Sequence, residues 1–280
     1  MMWQGAFHEL QYNYFTTLRA RFPMNRRIFE GPRIRRVSLL ARGAVGLGAA
    51  RLLAADRSIR VVSYQAGGLS SALRALFPRA TAVRDPSSAS YAEHCRREAD
   101  CILSAHCNVI LPPRVIEAVA HPLNLHPGYL PYGRGYWPTY WAIADGSPAG
   151  ATLHRMAPLV DRGPVVARAR VPIRPTDDGE SLTRRVAEAE LALLSRTWPS
   201  VRAGRYGTFR PAGKGTYHDR AEGLSARRLI GSERMGVRRF VDLARAFTDS
   251  RFDGVSVRIG GREVFLRLSL HEAQSGGRTR

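Results

Sequence analysis

From Arg36 onward, short apolar runs alternate with glycine turns and helix-length segments, and this pattern restricts the fold more than any other feature of the chain. Val37 to Leu40 is followed by Gly43 to Ala55, long enough for a helix, and then by Ile59 to Tyr64, a second apolar run. Ser70 to Phe77 and the polar Tyr91 to Ala99 read as further helices ahead of Cys101 to Ala105, another buried run. Runs this short and this apolar suit strands covered on both faces. Their alternation with helices implies a parallel sheet packed between helical layers.

The flanks have a different texture. Phe7, Leu10, Tyr14, Leu18 and Phe22 recur at three- and four-residue steps, predicting an amphipathic helix over Ala6 to Phe22, followed by a basic, loop-like connection to Arg36. Met24 is an alternative start. After Gly204 the chain becomes rich in Arg and Gly and holds one hairpin signal: Val255 to Ile259, then Gly260-Gly261, then Val264 to Leu268. The expected organisation is a helical extension over 1–35, a catalytic domain over 36–204 and a small β-containing domain over 205–280. There is no internal repeat.

Composition narrows the function classes. With 280 residues, 44% of them hydrophobic, the chain can bury a sizeable core. No window approaches the roughly 20 apolar residues of a membrane-spanning helix, and no basic-then-apolar leader opens the chain. A cytoplasmic protein without membrane association is expected. Cys95, Cys101 and Cys107 are separated by five residues each, a spacing that fits neither paired zinc ligands nor a disulfide framework. A net charge of +20 favours an anionic partner. Lys214 is the only lysine, however, so the arginine content partly reflects genome composition and is weaker evidence for phosphate recognition.

Chemistry concentrates in Leu123 to Gly135. On an extended strand Asn124 and His126 project to one face, because side-chain direction repeats every two residues. Pro127-Gly128 then ends the strand, leaving an amide and an imidazole at a sheet edge, where open α/β sheets bind ligands. Asp161 follows in the turn Asp161-Arg162-Gly163-Pro164 between apolar runs. Each residue alone has an ordinary explanation, as a local hydrogen-bonding group or a turn former. Gly43 to Gly48 opens a helix after the first strand, which suits either an anion at the helix N-terminus or close helix–strand packing. Its spacing does not match a dinucleotide motif.

Taken together, Asn124-x-His126-Pro127-x-x-Leu130-Pro131-x-x-Arg134-Gly135, then Gly150 to His154, then Asp161-x-Gly163-Pro164, resemble the signature of the folate-dependent formyltransferases over residues 36 to 204. That family includes glycinamide ribonucleotide, methionyl-tRNA and sugar N-formyltransferases. The resemblance implies an α/β, Rossmann-like parallel-sheet domain, 10-formyltetrahydrofolate as donor, no metal, and Asn124, His126 and Asp161 as the catalytic group. It further implies a donor site on Cys107, Asn108, Val109, Ile110 and Leu111 with Asp161. Gly46, Gly128, Tyr129, Arg134, Gly135 and Tyr217 are implied to contact the acceptor, with His154 in support.

The segment from Leu243 to Leu268 resembles the C-terminal region of sugar N-formyltransferases, and Gly215 to His218 the stretch that crosses the acceptor site. Residues 131–141 are aromatic where a tRNA enzyme would carry a basic loop. The expected acceptor is therefore a small amine, phosphate- or nucleotide-linked, such as an amino sugar nucleotide. Nucleic acid is disfavoured as a partner, and the N-terminal helix and the hairpin edge each offer a homodimer contact. Alternatives are a tRNA-linked amine, hydrolysis of the formyl-folate, transfer of a related one-carbon unit such as formimidoyl, and a non-catalytic nucleic-acid-binding role.

Overall fold

A computed structural model describes residues 26–229 and 234–273. The helix expected over Ala6 to Phe22 lies outside them. In chain order, the strands are β1 (Arg27–Glu30), β2 (Arg36–Arg42), β3 (Arg60–Gly67), β4 (Thr81–Ala82), β5 (Cys101–Ala105), β6 (His121–His126), β7 (Arg134–Gly135), β8 (Ala149–Arg155), β9 (Val165–Val171), β10 (Arg205–Thr208), β11 (Tyr217–His218), β12 (Arg228–Leu229), β13 (Val255–Ile259) and β14 (Arg262–Leu266). The helices are α1 (Gly43–Ala55), α2 (Ser70–Leu76), α3 (Ala89–Glu98), α4 (Pro113–Ile116), α5 (Pro138–Asp145), α6 (Gly179–Arg202), α7 (Arg220–Ala226) and α8 (Val237–Ala246).

Seven strands form the central sheet in the order β4-β3-β2-β5-β6-β8-β9. The first five of that order are parallel, as the alternation predicts, whereas β8 and β9 join antiparallel. Strand order reverses between β2 and β5, and the crevice beyond their C-terminal ends is where such sheets bind ligands.

Alternation along the strands divides the core. Val37, Leu39, Ala41, Leu103, Ala105, Leu123 and Leu125 pack under α1 and α6, while Leu40 and Ile102 face α3 and α4. Gly48 lets α1 approach α6, since a Cβ there would stand 2.6 Å from Leu191. The long helix α6 starts at Asp178, whose carboxylate accepts from Ser181 N–H (2.8 Å), with the Ser181 hydroxyl accepting in return from Asp178 N–H (3.0 Å). This reciprocal cap satisfies two of the helix's free backbone donors.

One feature differs from the sequence reading. The basic stretch before Arg36 is not all loop: Arg27–Glu30 is strand β1, paired antiparallel with β10. Its alternation is masked by charge at two of its four residues, Arg27 and Glu30, leaving only Ile28-Phe29 as signal. The C-terminal hairpin does form, with Val255 opposite Leu266 and Ile259 opposite Arg262. Gly260 and Gly261 both have positive φ (55° and 80°), as a two-residue hairpin turn requires.

Helix α8 and its sequel share a core with α5 and α6: Phe247 is fully buried, with its ring stacked on Tyr140 at 5.8 Å and edge-on to Trp137. Phe247→Ala is therefore expected to lower unfolding free energy by about 3–5 kcal/mol, measured by urea denaturation.

Candidate active site

Strand β6 carries Asn124 and His126 to its C-terminal end, and its antiparallel neighbour β8 sets His154 opposite Asn124 and Thr152 opposite His126. Directly opposed residues share a face with Cβ atoms about 5 Å apart, so four polar side chains meet at one edge. Asn124 Nδ2 lies 3.1 Å from His154 Nε2, and His154 Nδ1 lies 2.9 Å from the carbonyl of Arg155. Held through Nδ1 by that carbonyl, His154 presents Nε2 both to the Asn124 amide and, at 3.5 Å, to Asp161. The Thr152 hydroxyl donates to the Gly128 carbonyl (2.6 Å) and accepts from Leu130 N–H (3.2 Å), pinning the loop that follows β6.

Asp161 comes from the turn between β8 and β9. It is held at φ 52°, in the left-handed region that L-residues seldom occupy. One carboxylate oxygen accepts from Gly135 N–H (2.9 Å) and stands 3.7 Å from His126 Nδ1; the other is 3.5 Å from His154 Nε2. The side chain is 9% exposed. Burial alone would raise its pKa, but the charge of His126 and contacts from His154 and Gly135 overcome this and hold the carboxyl far below the usual carboxylate range. The turn thus delivers an ionised, desolvated carboxylate to two imidazoles.

His126 Nε2 donates to the carbonyl of Gly133 (2.7 Å), which leaves Nδ1 as the ring atom facing the Asp161 and Asn124 side. Gly128 makes this possible, because a Cβ there would sit 2.6 Å from His126 Nε2 and 2.7 Å from the Gly133 oxygen. Gly128→Ala is expected to displace the imidazole and cost at least about tenfold in kcat, the equivalent of roughly 1.4 kcal/mol of barrier, with an unchanged far-ultraviolet circular dichroism spectrum.

Among the residues expected at the acceptor, several have evident structural duties. Gly46 is buried, and a Cβ there would approach the Ala41 carbonyl carbon to 2.8 Å, so close packing of α1 on β2 accounts for the glycine. Arg134 is buried and donates to the carbonyls of Pro131 (3.3 Å) and Lys214 (3.0 Å). Tyr129 carries the Arg168 guanidinium over its ring at 4.2 Å. Gly135 gives its N–H to Asp161, and Tyr217, half exposed, lies on β11, which pairs with β7 beside it.

The loop after β5 presents Asn108 and Ile110 to solvent, Ile110 at 72% exposure, with Leu111 buried and Val109 and Cys107 half-buried. The Asn108 amide accepts from Arg42 Nη1 and donates to the His106 carbonyl (3.3 Å), bridging the crevice between β2 and β5. Trp137 and Trp141 are absorbed in packing, Trp137 against Phe252 and Phe247 and Trp141 against His218.

Sequence reading had no means of finding Thr152 as a loop pin or the buried Glu190 that bonds His106. Thr152 was visible only as part of the Gly150 to His154 block, and Glu190 looks like any polar position of a long helix. No group of three or more metal-ligating side chains gathers among the described residues, and no described helix is long and apolar enough to cross a membrane.

An amide, two imidazoles and a buried carboxylate thus converge at the C-terminal edge of a doubly wound α/β sheet. The formyl transferase family model matches residues 43–198, and the chain belongs to that family. It is 33% identical over 172 residues, 61% of this chain and 73% of the relative, to a dTDP-4-amino-4,6-dideoxyglucose formyltransferase of Mycobacterium tuberculosis. A solved structure of a likely sugar N-formyltransferase from Mycobacterium tuberculosis aligns with a TM-score of 0.74 at 25% identity, covering 86% of this chain and 99% of that one. An N-formyltransferase from Helicobacter canadensis, solved with folinic acid and dTDP-3-aminofucose, shares the fold with a TM-score of 0.65 at 14% identity, over 81% and 85% of the two chains.

Proposed function

We propose that this enzyme transfers a formyl group from 10-formyltetrahydrofolate to the primary amine of a nucleotide-linked amino sugar. The observation that carries the reading is the meeting of Asn124, His126 and the ionised Asp161 at one edge of the sheet, within a formyl transferase chain. The relative named above, over most of whose length this chain aligns, acts on a dTDP-linked 4-amino sugar by its name.

The donor loop suits a flat heterocycle. Exposed Ile110 and half-buried Val109 supply an apolar wall, and the Asn108 amide with the backbone of 107–111 supplies hydrogen-bonding groups. Bound there, the donor would present its formyl carbon as the electrophile. Asn124 Nδ2 and His126 Nδ1, the latter as imidazolium, donate to the oxygen on which negative charge grows during attack; donors fixed in advance in a site of low dielectric are worth most at that moment. Asp161 faces that ring at 3.7 Å. It also takes the proton lost by the attacking amine, directly or through water, and returns it to the nitrogen that leaves. His154 and Thr152 hold the donors and the loop in place.

Mass spectrometry after incubation with 10-formyltetrahydrofolate and dTDP-4-amino-4,6-dideoxyglucose tests donor and acceptor together. Gain of one formyl group by the sugar nucleotide is expected. Formate release without a formylated product, or formylation of aminoacylated tRNA in preference to the sugar nucleotide, would overturn the reading.

A further inference from the structure

The end of β5 departs from the pattern of the sheet. Ala41 is in register with Ala105 and Ala105 with Leu125, so Arg42, His106 and His126 occupy the next row across the C-terminal edge. By alternation the His106 side chain belongs with Leu40 and Ile102 on the α3 and α4 face. Instead His106 has φ 63°, a left-handed conformation uncommon outside glycine. That twist sends its imidazole to the opposite face, where Nε2 lies 2.8 Å and 2.9 Å from the two carboxylate oxygens of Glu190 on α6. The main chain leaves toward the first face, where Cys107, Val109 and Leu111 pack against the α3 and α4 cluster.

Glu190 is fully buried, and a buried carboxylate is tolerated only when paired. Burial would lower the His106 pKa and the Arg251 guanidinium opposes protonation, yet Glu190 raises it. An uncommon backbone conformation and a costly buried charge therefore support each other at the point where the 106–111 loop leaves the sheet, beside the row that carries His126. The second tether of the loop, Asn108 to Arg42, starts from the His106 carbonyl itself.

We propose that His106 is a positioning residue whose ion pair with Glu190 fixes the 106–111 loop over the crevice, and that the pair sets affinity for the formyl donor rather than the rate of transfer. This rests on the reading that the loop receives the donor. Equilibrium binding of 5-formyltetrahydrofolate to the full chain, hydrogen exchange at amides 107–111, and steady-state kinetics on wild type, His106→Ala and Glu190→Gln test it. His106→Ala is expected to weaken binding and raise donor KM by about tenfold or more, with kcat within about threefold and acceptor KM unchanged. Faster exchange should be confined to 106–111. Glu190→Gln, which removes the charge but keeps an oxygen acceptor for the ring, should weaken binding by less than His106→Ala. If His106→Ala does not fold, His106→Asn, which tolerates the left-handed backbone but is too short to reach Glu190, supplies the same measurement. Unchanged donor affinity and exchange, or an equal fall in kcat/KM for donor and acceptor, would overturn the proposal. Absence of binding to wild type would remove the donor reading of the loop and the proposal with it.

Discussion

Asn124→Ala is expected to lower kcat by about 10²–10³-fold, because in the proposed mechanism it deletes one of two donors aimed at the oxygen where charge develops. The effect should fall on kcat and kcat/KM alike, since the bond strengthens only as the transition state forms. His126→Ala should cost at least as much, for it removes both the second donor and the cation that faces Asp161 at 3.7 Å. The double variant should lose far less than the product of the two single losses, as groups that act together do. Steady-state and single-turnover kinetics with a formylated-product assay measure all three. A double variant whose loss equals that product would mean that the amide and the imidazole serve different steps.

Asp161→Asn is expected to reduce kcat by about 10²–10⁴-fold, the range of a general acid–base group, while keeping the hydrogen bond from Gly135 N–H through the amide oxygen. The same variant carries a stability signature with a definite sign. A carboxyl held below its unfolded value of about 3.9 stabilises the folded state at every pH above that value, and the contribution fades as pH falls through the folded pKa. Because the charge of His126 and contacts from His154 and Gly135 depress Asp161 in this way, wild type should exceed Asp161→Asn by a constant margin from about pH 5 upward, shrinking below about pH 4. Urea unfolding of both proteins across that range checks it. A margin that grows on acidification would mean that the carboxyl is protonated in the folded protein.

Much of the framework was legible before any coordinates. Gly43 to Ala55 and Cys101 to Ala105 coincide with α1 and β5, because a run of apolar residues bounded by turns has few alternatives to strand or helix once its length is known. The hairpin around Gly260-Gly261 was legible for a local reason as well, since two successive positive-φ positions need glycine. Strand β1 was not legible. Four residues with charge at both ends carry little periodic signal, and the strand exists because β10, almost 180 positions away, offers it an edge.

The three residues proposed for chemistry could be named from the resemblance of their motifs to a known family, and two of them, Asn124 and His126, could be placed on one face from the period of a strand. What the linear order could not supply was the company they keep. His154 reaches Asn124 because β8 runs antiparallel to β6, and Asp161 reaches both imidazoles because a left-handed turn lies between β8 and β9. Glu190 meets His106 across 84 residues, through a twist in the backbone that reverses the side of the sheet to which the ring belongs. Periodicity is a property of neighbours along the chain and survives in the sequence. Register between strands, burial of a charge and the direction of a single strained residue depend on contacts between distant segments, and only the folded molecule decides them.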